Sequence, residues 1–351
     1  MNLRQIAKEA NLSLSTVSLV LNNKPGVKRE TRERVAALLA QNGYVIHTQS
    51  GPEPAGLPKT LLFIRYRGSG CLMESKDDFF IQILDGVEAQ ARLSGFSLQI
   101  LNTDRTNLKE ELAAASRSAS GVILFATELE ADLVPVLYHC DVPLVAVDST
   151  FPHEDINCVS VENHDALYHA ISYLRSIGHT QIGYLHSVEL TGSIPEREAA
   201  YYAAMRDLGL ALNPDFVYKL FLFVDRTYEQ MSRILAKKPV LPTAFVADND
   251  VLAVGAMRAL QENGYRVPED VSIIGFDDSY ICTITSPALT TMRSPKNAIG
   301  AAAVKRMHEI LTTKDETIVK SRLCATLVVR DSTRPLVQRS DEGKAPVPSS
   351  L

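Results

Sequence analysis

Two sets of side chains in this 351-residue chain have types and spacings that could do chemistry. The first lies near the N-terminus, in the run LSTVSLVLN from Leu14 to Asn22. At 100° per residue, a helix through it gathers Val17, Val20 and Leu21 into one inward arc, puts Ser15 and Leu19 opposite, and leaves Thr16 and Ser18 on the flanks. Thr16, Ser18 and Asn22 can donate to phosphate oxygens, while Leu14, Ser15 and Leu19 can meet base edges, as on a helix laid in a DNA major groove. The second set sits where apolar runs end: Asp148 after PLVAV, Arg197 opening the segment after QIGYLH, Asn249 after AFVAD, and Asp277 after SIIGF. Carboxylates, an amide and a guanidinium can make the multidentate hydrogen bonds that a polyhydroxylated ligand requires. Each of these four, taken alone, is more simply a helix cap or a surface residue, and only their joint placement favours a site.

The elements that must position the first set are short helices. Leu3, Ile6, Ala7 and Ala10 share one face of a helix over about 3–10, with Asn2 and Gln5 as a capping-box variant. Asn11-Leu12 breaks it, Ser13 is a good N-cap for a second helix to about Leu21, and Val35, Leu38 and Leu39 line a third over about 29–41 that stops at Gly43. Three helices in 46 residues, the first two joined by a tight turn, make a helix-turn-helix head with one small core. An ordinary surface helix with scattered leucines would show the same spacing, so periodicity alone does not decide the point.

The second set needs strand ends. From Thr60 the chain alternates apolar runs (TLLFIRY, FSLQIL, GVILFA, PLVAVD, CVSVE) with amphipathic segments, and the theme resumes through QIGYLH, VYKLFLF, TAFVAD and VSIIGF. Helices are expected over about 79–94, 107–118, 129–139, 163–176, 195–208, 227–236, 249–263 and 296–312, with Asn163 capping its own. Repeated βα units imply parallel sheets covered by helices, and such sheets bind ligands beyond the carboxyl ends of their strands. The expected architecture is therefore α/β, an all-α head on two doubly wound lobes. Lobe 1 spans about 60–161 and 291–320; lobe 2 spans about 162–290 and 321–336, with CATLVVR as a closing strand. Residues 47–59, rich in proline and glycine, read as an extended linker that cannot propagate a helix, and residues 337–351 as a disordered tail.

Charge separates the same parts. The net charge of −5 argues by itself against a polyanionic partner. Residues 1–46, however, carry seven basic side chains (Arg4, Lys8, Lys24, Lys28, Arg29, Arg32, Arg34) against Glu9, Glu30 and Glu33, which leaves +4 on the head and −9 on the rest. An anionic partner is expected for the head only. The five cysteines form no CxxC pair and fit neither a disulfide framework nor a zinc ribbon, and no stretch reaches the roughly 20 apolar residues of a membrane helix. With no apolar stretch following Arg4 and Lys8 to make a secretory signal, a cytoplasmic protein is expected. No GxGxxG, P-loop, GxSxG or HExxH occurs, His164 and His169 do not share a helical face, and the adjacent Asp277-Asp278 lacks a nearby histidine, so neither an enzyme nor a cofactor or metal centre is expected.

The run LRQIAKEANLSLSTVSLVLNNKPGVKRETRERVAALLAQNGYV closely resembles the DNA-binding head of the LacI/GalR (lactose/galactose repressor) family. DGVEAQARLSGFSLQI, VPLVAVD, GHTQIGYL, NDVLAVGAMRAL, VPEDVSIIGFDD, LTTM and LVVRDST resemble its effector domain, itself similar to periplasmic sugar-binding proteins. The resemblance places Ser15, Thr16, Ser18 and Asn22 on a recognition helix, brings Leu3 and Thr31 to the DNA backbone, and turns Leu14, Ser15 and Leu19 to the bases. It implies an inter-lobe cleft lined by Asp148, Arg197, Asn249 and Asp277, with Phe79 and Phe80 as stacking residues. Leu19 stands where the family often has a guanine-reading Arg, Lys28 where a Ser usually caps the third helix, and Ala200 where a Gly is usual. Glu53 falls near the place of the family's minor-groove leucine, which puts the usual hinge-helix coupling in question. The implied protein is a homodimeric transcriptional regulator, a repressor, that binds double-stranded operator DNA under the control of a sugar-type effector, with no membrane partner. The alternatives are a sugar-binding module without DNA function and a doubly wound sugar-modifying enzyme.

Overall fold

The computed structural model describes residues 3–21, 27–41, 60–68, 77–189 and 192–336, and the chain divides into two compact units, 1–57 and 58–351. The expected linker and tail, residues 47–59 and 337–351, lie outside the described residues.

The head is built from α1 (Leu3–Glu9), α2 (Leu14–Leu21) and α3 (Arg29–Gln41). Asn11 ends α1 in the left-handed region, φ 54°, which lets Leu12 N–H reach the Ala7 carbonyl (2.9 Å) and Asn11 N–H reach that of Lys8 (3.2 Å). Those two bonds satisfy carbonyls that the helix end would otherwise orphan. Ser13 then caps α2, its Oγ accepting from Thr16 N–H at 3.1 Å. The small core is Ile6, Ala7, Ala10, Val17, Val20, Val35 and Leu39, all buried.

In the second unit the chain first runs through β1 (Thr60–Arg67), α4 (Asp77–Leu93), β2 (Ser97–Asp104), α5 (Leu108–Ala115), β3 (Gly121–Phe125), β4 (Leu144–Val147) and β5 (Asn157–Glu162). It then crosses into α6 (Asn163–Ser176), β6 (Ile182–Ser187), α7 (Ile194–Asp207), β7 (Val217–Leu220), α8 (Val224–Leu235), β8 (Ala244–Ala247), α9 (Asp250–Glu262), β9 (Ser272–Phe276), the short α10 (Ile281–Ile284) and β10 (Thr290–Arg293). The helix α11 (Lys296–Thr313) returns to the first lobe, and β11 (Lys320–Cys324) and β12 (Thr326–Val328) end the described fold. The strand order is β11-β5-β4-β3-β1-β2 in one sheet and β12-β10-β9-β8-β6-β7 in the other. All pairings are parallel except β10 with β12. Helices cover both faces of each sheet, which is why every residue of β3, β8 and β9 is buried and their sequences are apolar without alternation.

Several expectations shift. CATLVVR is two strands: β11 pairs with β5 in one sheet and β12 with β10 in the other, so a single extended run carries the chain between lobes at Ala325. Sheet membership accordingly moves the last two crossings from about 291 and 320 to just after Arg293 and Cys324. The segment Ala131–His139 is a 3-10 helix containing Pro135, which cannot donate the i→i−4 bond an α-helix needs. VYKLFLF is strand only through Leu220. At the start of α6 the cap is Glu162, whose side chain accepts from His164 N–H at 3.1 Å, and Asn163 is thereby released for another task.

Candidate functional site

The reading face of α2 has the expected polarity. Val17 and Val20 are fully buried, Leu14 is 43% exposed, Ser15 is exposed, and Thr16, Ser18 and Leu19 are half-buried. Ser13 Oγ lies 2.7 Å from Ser15 Oγ and 2.8 Å from Thr16 Oγ1, so the first-turn hydroxyls form one small network on the outer side of the helix. Thr31 lies half-buried in the first turn of α3 and Leu3 opens α1, while Asn22 is outside the described residues.

In the body, all four of the strand-end residues are buried, and Arg197 and Asp277 are brought together. Arg197 lies in the first turn of α7 at 3% exposure. Its Nε donates to Asn163 Oδ1 (2.9 Å), one terminal nitrogen donates to the Asp248 carbonyl, the other lies 3.5 Å from Asp277 Oδ1, and the guanidinium plane sits 3.7 Å over the Phe276 ring. Asp277 follows β9 with φ 103°, a left-handed backbone that aims its carboxylate at Arg197 and at Ser294 Oγ (3.0 Å), while Lys296 Nζ takes its carbonyl at 2.7 Å. Asp148 follows β4, also left-handed at φ 59°, and accepts from Thr127 Oγ1 at 2.5 Å. Gly192, two residues before α7, draws the lobes together there. A Cβ on it would stand 2.9 Å from Thr127 O and 3.5 Å from Asp148 O.

Asn249 is the N-cap of α9, its Oδ1 accepting from Leu252 N–H at 3.0 Å, so its position has a structural reason of its own. Phe79 and Phe80 are buried with the lobe 1 core; Phe80 packs against Phe63 and Phe125, and the Arg65 guanidinium lies 3.8 Å over its ring. Asp278 is paired with two arginines. Burial opposes its charge, yet Arg293 and Arg330, each 2.6 Å away, hold its carboxyl below the usual range. Among the described residues no cluster of His, Cys, Asp and Glu could hold a metal ion, and no helix is long and apolar enough to cross a membrane. Cys140, Cys158, Cys282 and Cys324 are free thiols.

Residue types alone did not point to Asn163, Asp248 or Phe276. Asp248 is fully buried and accepts from Tyr184 Oη, from His186 Nδ1 (2.8 Å) and from Ser187 N–H (2.6 Å), a cradle that fixes the carbonyl Arg197 uses. Burial and that carboxylate push the Tyr184 phenol well above its ordinary range, so it stays a donor. Ser294 and Lys296 follow β10, and the strand-end rule that selected Asp148 and Asp277 would have selected them too.

A basic three-helix head joined to two parallel α/β lobes that enclose a polar junction defines a ligand-responsive DNA-binding regulator. The family model for bacterial regulatory proteins of the lacI family matches residues 2–46, and that for a periplasmic binding protein-like domain matches 171–333. The HTH-type transcriptional repressor PurR of Pasteurella multocida is 30% identical over 337 residues, covering 95% of this chain and 98% of that one, and PurR of Haemophilus influenzae strain PittEE is 30% identical over 343 residues. Of solved structures, the lac repressor dimer bound to operator and the anti-inducer ONPF is 26% identical with TM-score 0.68, covering 95% of this chain and 99% of that one. A CelR–cellobiose complex shares the fold at 24% identity and TM-score 0.69, with the same coverage. The chain belongs to the lacI family of bacterial regulatory proteins and is a DNA-binding transcriptional repressor, not an enzyme.

Proposed function

We propose that this repressor acts in the cytoplasm as a homodimer whose two heads read two half-sites of an operator through Leu14, Ser15, Thr16, Ser18, Leu19 and Asn22, with Leu3 and Thr31 at the backbone. A small polyhydroxylated effector, a sugar or oligosaccharide, binds between the lobes and shifts operator affinity through its differential affinity for the closed state. The observation that carries this is the Arg197–Asp277 pair, buried over Phe276, with Gly192 a few residues earlier set close against the lobe 1 carbonyls of Thr127 and Asp148. Such a pair offers donors and acceptors side by side. Among proteins of the same fold, one was solved with cellobiose and one with ribose, and these set the chemistry to try first.

A planar nitrogen heterocycle is the second reading, favoured by Phe80. The guanidinium of Arg65 sits 3.8 Å over that ring, a place where an aromatic ligand could stack. A thermal-shift panel of mono- and disaccharides and of nucleobases separates the two. The expected result is stabilisation by a sugar that is abolished in Arg197→Ala and in Asp277→Ala while binding to DNA persists. A ligand response retained in both variants would refute the site, and stabilisation by bases alone, lost in Phe80→Ala, would establish the second reading.

A further inference from the structure

A cavity of about 480 Å³ opens beside the crossings between the lobes, and none of Asp148, Arg197, Asn249 or Asp277 lines it. Its walls come from both lobes: Phe151, Ser160, Lys320 and Arg322 from the side of β5 and β11, and Pro195 and Glu196 from the first turn of α7. Two cations face it. Lys320 Nζ uses one of its three donors on the Phe151 carbonyl at 2.6 Å, and Arg322 is held by Glu196, with Glu162 3.7 Å away. Ser160 is fully buried and its Oγ has no hydrogen-bond partner, a condition that buried hydroxyls rarely keep unless something else completes them. Cations and an unsatisfied hydroxyl beside the ring of Phe151 and the ring of Pro195 fit a small carboxylate with an apolar body.

The walls are also wired to Arg197. Glu196, which pairs with Arg322 through one carboxylate oxygen, accepts from Asn163 Nδ2 through the other at 2.6 Å, and Asn163 Oδ1 accepts from Arg197 Nε at 2.9 Å. An anion competing with Glu196 for Arg322 would act on one end of this chain. We propose that the cavity is a second ligand site, taking a small organic carboxylate, whose occupancy is passed to Arg197 through Glu196 and Asn163. The passing step rests on the reading of Arg197 as an effector residue; the binding step does not.

The test is calorimetric titration of the full chain with benzoate and with benzyl alcohol, its neutral counterpart. Saturable binding of benzoate only is expected, weakened at least tenfold in Lys320→Met and in Ser321→Trp, which fills the cavity, and kept in Arg197→Ala. Should Ser321→Trp melt early, Lys320→Met decides alone. Benzoate should also shift affinity for a selected operator in the wild type and not in Asn163→Ala. No saturable benzoate binding, equal binding of benzyl alcohol, or loss of benzoate binding in Arg197→Ala would each overturn the site, and an operator shift that is missing in the wild type or persists in Asn163→Ala would overturn the coupling. If instead the sugar and base panel is silent while benzoate binds, the Arg197 reading has failed and the second site stands.

Discussion

At the scale of a single residue, Asp250 is the buried acid with the clearest consequence. It opens α9 beneath the Arg197 site, is 1% exposed, and accepts from Thr291 Oγ1 (2.6 Å) and from Ser279 N–H and Oγ (both 2.8 Å). Burial and the nearby Asp277 charge outweigh those bonds and push its carboxyl up to about 6. A carboxyl with a raised pKa binds its proton more tightly in the folded chain than in the unfolded one. The contribution is therefore complete at low pH and is lost as pH rises through the window from about 4 to about 6. Asparagine mimics the protonated form, since its amide can donate to Thr291 while its oxygen accepts from Ser279. Denaturant unfolding at pH 4.5 and pH 7 should show Asp250→Asn gaining on the wild type by roughly 2 kcal/mol over that interval. A difference that stays constant with pH would mean that Asp250 remains ionised throughout.

At the scale of elements, α4 and α11 cross with their backbones nearly touching. A Cβ at Gly86 would lie 2.0 Å from Asn297 O, and one at Gly300 would lie 2.2 Å from Ile83 O. Both contacts are with backbone, so the helices themselves must separate to admit a methyl group, and well-packed elements yield poorly. Gly300→Ala is expected to cost about 2–4 kcal/mol in urea unfolding despite the better helix propensity of Ala, whereas Gly264→Ala, at a helix end with φ 86° and open space around it, should cost less. Neither close contact was legible in the sequence, because both join segments more than 200 positions apart. What was legible was local. The spans of α3, α6 and α11 follow from periodicity, and the burial of GVILF, AFVA and SIIGF follows from unbroken apolar runs. Asp148, Arg197 and Asp277 were legible as strand-end or helix-start polar groups. By sequence Asn163 looks like a cap, because only the fold reveals that Glu162 takes the cap and leaves Asn163 to bond Arg197. CATLVVR looks like one strand because an extended chain has the same dihedral preference in either sheet, and only pairing shows where it changes partner.

At the scale of the whole molecule, the charge division has a measurable consequence for DNA binding. The head carries +4 and the rest of the chain −9, so phosphate neutralisation is the work of the heads, and a body of that sign contributes repulsion rather than affinity. Among the described residues a head has a core of seven buried apolar side chains, several of them small, and a reading helix of eight residues, and so offers few phosphate contacts. Each contact releases condensed counterions, giving a log–log slope of affinity against salt of about −0.9 per phosphate neutralised. A homodimer placing both heads on a palindrome doubles the number of phosphates, while one head on a half-site leaves its partner over nonspecific DNA. Binding measured over about 50–200 mM salt, on a palindromic site selected from a random library and on its isolated half-site, should give a slope nearly twice as steep for the palindrome. A chain beginning at Thr60 should show no measurable DNA affinity in the same range yet keep its ligand-induced stabilisation. Equal slopes on the two DNAs would mean that only one head engages at a time, and the two-headed operator reading would then have to be abandoned.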